Sequence, residues 1–178
     1  MTATGTATPA TADRLARAGG AAAAAPPDVT DEPRWFLANL ARIRLSAEHG
    51  QGRIDLVEIT GQRGDMPPLH VHHREDEIFV VLEGELSLHL PGSSRTLKAG
   101  QAAFAPMGVP HVYRVESETA RWLGLSTPAG FSTFVTAASD AAGSEDMPPA
   151  DRAPDLDRVG AAAAAAGIEL LGPPGTMP

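Results

Sequence analysis

An all-β fold, a sandwich or barrel of short strands, is what this sequence predicts, and three observations predict it. Apolar and polar side chains alternate with period two over short segments; glycine and proline punctuate those segments at regular intervals; and no helical periodicity separates them between residues 41 and 135.

The elements follow in order. Residues 1–32 are mostly Thr, Ala, Gly and Pro with few large apolar side chains, too little buriable surface to offset the entropy of ordering, and are expected to form a disordered tail. Composition changes at Arg34: Trp35, Phe36, Leu37 and Leu40 open the folded domain, expected over residues 33–137. Ala41, Ile43 and Leu45 alternate with Arg42, Arg44 and Ser46; residues 54–60 are rich in β-branched side chains; Leu86, Leu88 and Leu90 alternate with Ser87 and His89. Further strands are expected at 78–82, 102–104, 112–115, 121–126 and 132–135, with turns at Gly64, Gly84, Gly92, Gly100, Gly108 and Pro128. Residues 138–154 read as a polar linker. Asp155 is then placed to cap a helix through the alanine run to Gly167, a favoured stop, after which Ile168, Leu170 and Leu171 can dock back. Residues 138–178 are thus read as linker, short helix and a tail packing on the barrel.

Composition narrows the function. The 178 residues carry 14 Lys and Arg against 22 Asp and Glu, a formal charge of −8, and no basic run, which argues against nucleic acid or an anionic membrane as partner. The alanine runs at 21–25 and 161–166 are far short of the ~20 apolar residues a membrane span needs. No secretory pattern opens the chain, so a cytoplasmic location is expected. Cysteine is absent, leaving His, carboxylates and water as the ligands for any metal.

Two blocks supply such ligands. In the first, Gly64 is followed by His70, His72, Glu77 and Gly84. His70 and His72 are two apart, so on an extended segment their side chains leave one face about 7 Å apart, near enough to lean onto one ion. A turn through 73–76 can return Glu77 to that face, which it shares with Phe79 and Val81. In the second block, Gly100, Pro106 and Gly108 precede His111, with Tyr113 on the same face of the following strand. Three imidazoles and one carboxylate suit a divalent first-row ion and leave coordination positions open for substrate, water or dioxygen.

The two blocks match both motifs of the cupin superfamily, and the sequence resembles a single-domain cupin, which implies a jelly-roll β-barrel. One position departs: Val115 stands where the second motif often has Asn, which removes a hydrogen-bonding role there. The wording PLHVHHREDEIFVVLEGEL, PMGVPHVYRV and STPAGFSTF, followed by a C-terminal helix leading into GIELLGPP, is similar to the bacterial quercetin dioxygenase-like group over about residues 35–172. That resemblance implies His70, His72, Glu77 and His111 as metal ligands. It makes Glu77 also the base that takes a substrate hydroxyl proton, before dioxygen opens an enolate or flavonolate ring with loss of carbon monoxide. The ion implied is Ni, Co, Mn, Fe, Cu or Zn. Substrate identity does not carry over, and two other uses stay open: redox-silent isomerisation or polyketide cyclisation, and ligand binding without turnover. Single cupins are generally dimers, and the segment 35–40 is the candidate for pairing.

Met66, Phe79, Val81, Phe104 and Tyr113 are candidates for lining the pocket, and an apolar lining points to an aromatic or hydrophobic small molecule, since no phosphate cradle occurs. His73 has the opposite strand parity and reads as solvent-facing or as a partner to a ligand. His49 and His89 read as surface residues, and Arg74, Glu75 and Asp76 as a solvated charged turn.

Overall fold

The computed structural model describes residues 32–178, so the tail expected over 1–32 lies, but for its last residue, outside the described residues. Period-two burial sets the architecture. In β5 (Asp76–Glu83) Glu77, Phe79 and Val81 face inward, and in β10 (Thr119–Thr127) Ala120, Trp122, Gly124 and Ser126 do. These two strands pair within a seven-stranded sheet. The other members are β1 (Arg34–Phe36), β2 (Asn39–Leu45), β3 (Asp55–Gln62), β8 (Ala102–Ala105) and β11 (Asp140–Ala141), in the order β11-β1-β2-β3-β10-β5-β8.

The opposing layer holds β7 (Ser93–Lys98), β6 (Glu85–Leu90) and β9 (Val112–Val115), and beside it β4 (Pro68–His72) paired with β12 (Ile168–Pro174). A single antiparallel bridge, His70 to His111, ties β4 to the start of β9. Every pairing is antiparallel, and the two layers enclose Trp122, Phe79, Ile59, Leu86, Leu88, Leu97 and Val115, each at most 2% exposed. This is an all-β jelly-roll barrel. The segment 35–40, expected to pair between copies, is already engaged within the chain, since β1 lies between β2 and β11.

The motif glycines Gly64, Gly84, Gly100 and Gly108 all have positive φ. At Gly84, between β5 and β6, a Cβ would also stand 2.3 Å from the Thr119 carbonyl oxygen, so the turn requires glycine. Gly108 donates its N–H to the His72 carbonyl at 2.8 Å, joining the second motif to the strand that carries the first.

One expected strand is a helix. Residues 132–135 belong to α1 (Phe131–Ala138), whose buried Phe131, Phe134, Val135 and Ala138 form a helical stripe that the β-branched Thr133, Val135 and Thr136 mask in the sequence. Its free N–H groups are met from a distance: Asp55, fully buried on β3, accepts from Gly130 N at 3.0 Å and Ser132 N at 2.8 Å, and from Ser126 Oγ at 2.6 Å. The strand β7 was not expected at all, because only Leu97 of its six residues is buried.

The second helix, α2 (Leu156–Ala166), begins and ends as its sequence implies. Asp155 accepts from Arg158 N at 3.0 Å, and Gly167 closes the helix at φ 78°. The segment after it goes further than docking: β12 adds a strand to β4, with Ile168 opposite His72 and Leu170 opposite His70. Ile168 is buried, while Leu170 and Leu171 remain 43% exposed. The linker is pinned at Asp140, which pairs with Arg152 and Arg158 at 2.5 and 2.8 Å. No helix among the described residues is long and apolar enough to cross a membrane.

Candidate metal centre

His70 and His72 leave one face of β4, Glu77 opens the inward row of β5, and His111 stands just before β9. One ligand atom from each lies within 4.8 Å of those of the other three. Glu77 Oε2 is 3.1 Å from His111 Nε2 and 3.5 Å from His72 Nε2. Gly124, opposite Phe79 on β10, leaves the space that Glu77 and Phe131 share: a Cβ there would stand 3.5 Å from Glu77 Oε1 and 3.3 Å from the Phe131 ring.

The outward nitrogen of each imidazole is committed. His70 Nδ1 lies 2.8 Å from the Pro68 carbonyl, His111 Nδ1 2.9 Å from that of Val109, and His72 Nδ1 2.7 Å from Glu75 Oε1. Carbonyls and carboxylates only accept, so each Nδ1 carries a hydrogen and each ring turns its Nε2 inward. Three ring nitrogens turned toward a buried carboxylate form a donor set that a cation can bridge. The residues present therefore fit a divalent ion with N3O ligation, their second nitrogens already held as metal-bound histidines require.

The electrostatics agree. Burial, with the neighbouring His111 and His72, lowers the His70 pKa to about 3, so this ring is neutral near pH 7. Burial works against charge on His72 too, but the Glu75 bond and the Glu77 and Glu75 charges prevail and raise its pKa. Burial would raise Glu77, yet the His111 bond and the three imidazoles hold it below the ordinary carboxylate value and ionised.

The quartet opens into a cavity lined by Phe36, Phe79, Tyr113, Trp122, Phe131 and Phe134, with Val159, Ile168 and Leu170 of α2 and β12 over it. Its enclosed space is about 40 Å³, about 560 Å³ with the open mouth counted. The enclosed part holds a few waters.

Of the expected lining residues, Phe79 and Tyr113 are in this wall. Three are elsewhere. Val81 is fully buried in the packed core, and Phe104 is 52% exposed on the outer face of β8. Met66 borders a separate surface depression with His89, Arg114 and Met177. Parity gave Val81 the correct face but not its depth in the barrel.

The expected solvated turn 74–76 needs a larger correction. Glu75 is 2% exposed and holds His72; its carboxylate packs on Gly130, where a Cβ would stand 2.0 Å from Oε2. Asp76 Oδ1 accepts from Met107 N at 2.8 Å, and Arg74 donates to the Ala165 carbonyl at 3.0 Å. The spacing His72, two residues, Glu75 was the available signal, hidden in a run of charge. His73 is half exposed and pairs with Glu169 on β12 at 2.8 Å, and His49 is an exposed loop residue bonded to Ser46. His89 is only partly at the surface: Nδ1 bonds Ser94 at 2.7 Å, while Nε2 is buried.

Comparison with known proteins matches residues 57–126 to the cupin domain family. The chain is 33% identical over 127 residues to quercetin 2,3-dioxygenase of Bacillus subtilis, covering 69% of this chain and 38% of that enzyme. It is 40% identical over 60 residues to an uncharacterized protein of Aquifex aeolicus, covering 34% of this chain and 50% of that one. The chain thus spans half or less of either relative's length. A predicted oxalate decarboxylase of Thermotoga maritima superposes with a TM-score of 0.51 at 21% identity, over 58% of this chain and 98% of that one, a likeness of fold. With the histidines and the glutamate of both motifs gathered at one end of a jelly roll, the chain belongs to the cupin family.

Proposed function

We propose that the protein is a metal-dependent cupin enzyme, a dioxygenase of the quercetin 2,3-dioxygenase type acting on a flavonol-like or otherwise enolisable aromatic molecule. The observation that carries this reading is the ionised Glu77 among three inward imidazole nitrogens at the edge of an aromatic cavity. The 33% identity to the Bacillus quercetin 2,3-dioxygenase supports it.

His70, His72, Glu77 and His111 would hold one divalent first-row ion, which supplies Lewis acidity toward an enolate oxygen and a site for dioxygen. The chain's residues do the remainder. Phe79, Phe131 and Phe134 offer flat apolar surfaces that orient an aromatic ring and exclude water. The Glu77 carboxylate accepts the proton of the substrate hydroxyl. Glu75 fixes the His72 ring through Nδ1, so the quartet keeps its geometry as that proton moves.

The test is incubation of the metal-loaded protein with flavonols in air and under anaerobic conditions, following flavonol absorbance and carbon monoxide. Oxygen-dependent loss of absorbance with carbon monoxide release is expected. A product of unchanged mass would replace this reading with redox-silent isomerisation or cyclisation, and ligand bound but unconsumed over hours would replace it with a binding role. We also propose a homodimer, and a monomer by light scattering at micromolar concentration would overturn that.

A further inference from the structure

Behind the cavity wall, away from the quartet, lies a polar cluster. Tyr113, two residues beyond His111, lines the cavity, and its hydroxyl is 3.2 Å from Asp65 Oδ2 and 3.2 Å from Asn39 Nδ2. Asn39 Nδ2 donates to the same Asp65 oxygen at 3.0 Å, closing a three-membered cluster. Each member is fixed by backbone. Asn39 opens β2 and is 1% exposed, Asp65 accepts the Val115 N–H through its carbonyl, and Tyr113 is paired with Leu88 on β6.

The direction of these bonds sets what the cluster can recognise. The Tyr113 hydroxyl donates to Asp65 Oδ2. The phenolic oxygen accepts from Asn39 and retains capacity for one more donor. A carboxylate behind it strengthens it as an acceptor and disfavours an anionic group at this end. Two further polar atoms nearby, Asn39 Oδ1 and Trp122 Nε1, are buried without a hydrogen-bond partner. Trp122 lines the same cavity, its ring 4.9 Å from that of Tyr113. A wall serving only to exclude water would be cheaper with apolar side chains.

Phe79 relates this cluster to the metal end, its ring 6.3 Å from His111 and 6.2 Å from Tyr113. A planar molecule that reaches the quartet and lies along Phe79 brings its far edge toward Tyr113.

We propose that Tyr113, held by Asp65 and Asn39, is a specificity determinant that accepts a hydrogen bond from a hydroxyl on the end of the substrate remote from the His70–His72–Glu77–His111 quartet. The preferred substrates are then polyhydroxylated aromatics over bare, alkylated or carboxylated ones. This rests on the enolisable-aromatic reading above.

The experiment measures anaerobic dissociation constants of the cobalt-loaded protein for 3-hydroxyflavone and for quercetin, which share the metal-binding group and differ in ring hydroxyls. Wild type is expected to prefer quercetin by about tenfold, the size of one net hydrogen bond. Tyr113→Phe is expected to abolish most of that preference while 3-hydroxyflavone affinity stays within about twofold. Asp65→Asn, which keeps the shape of the cluster, is expected to reduce it too and serves if the tyrosine variant misfolds. A ratio unchanged in the variants, or equal binding of both probes by wild type, overturns the proposal and leaves the site reading standing. Binding of neither probe by wild type overturns both.

Discussion

His72 and Glu75 are bonded to one another within the interior, Nδ1 to Oε1 at 2.7 Å, with side chains only 2% and 3% exposed. The carboxylate thus sets which nitrogen of His72 faces Glu77. Because α1 packs Gly130 on that carboxylate, the helix takes part in placing a candidate metal ligand.

The first prediction follows from that pair. Glu75→Gln keeps the shape and removes the charge, and is expected to weaken metal binding by about 10- to 100-fold with the fold intact. Chelator-competition titration beside a circular dichroism spectrum checks it. Affinity equal to wild type would show that Glu75 has no part in holding His72.

Acid stability of the metal-free protein has a definite sign. The folded His70 pKa of about 3 lies below the ordinary 6.5, so the unfolded chain binds this proton more readily. The contribution is fully present above pH 6.5 and is lost progressively as pH falls from there toward 3, by at most about 1.4 kcal/mol per unit. His72 acts oppositely: its raised pKa adds stability below 6.5 and loses it as pH rises through the folded value. Urea denaturation between pH 5 and 8 is expected to show a maximum near 6.5 in the metal-free protein. A metal-loaded sample is expected to be more stable throughout, by about 2.7 kcal/mol at a hundred times its dissociation constant.

Asp55 anchors α1 from β3, the strand paired with the β10 end that leads into the helix. Asp55→Ala strands the N–H groups of Gly130 and Ser132 and is expected to cost about 2–5 kcal/mol, from unmet buried donors at ~1–3 kcal/mol each. Equilibrium denaturation measures it, and a loss under about 1 kcal/mol would mean that water replaces the carboxylate.

The cap over the cavity is held at Asp140 by Arg152 and Arg158. Both pairs are partly exposed, so Asp140→Asn is expected to cost less than about 1 kcal/mol of global stability. Local opening of α2 is expected to increase, read as faster amide exchange over 156–170 than over β5. Exchange unchanged in that segment would mean that the cap is secured by Val159, Ala163 and Ile168 alone.

The sequence by itself determined the parts that depend on local spacing. Period two at Glu77, Phe79 and Val81 chose the face of β5, the His70–His72 interval put two imidazoles on one side of β4, glycines marked the positive-φ turns, and Asp155 and Gly167 bounded α2. Only the tertiary structure decided the features that join segments distant in the chain. Residues 132–135 became helix because Asp55, some 77 residues earlier, meets the N–H groups of that turn while its phenylalanines find the cavity. Glu75 became buried because Gly130 leaves room for it, and β12 became a strand because β4 offered it an open edge. Lining residues divided by depth: Tyr113 reaches the cavity, Val81 lies in packed core and Phe104 faces outward. Alternation reports only which side of one strand a residue occupies, whereas depth and partners depend on how all the strands close around one another.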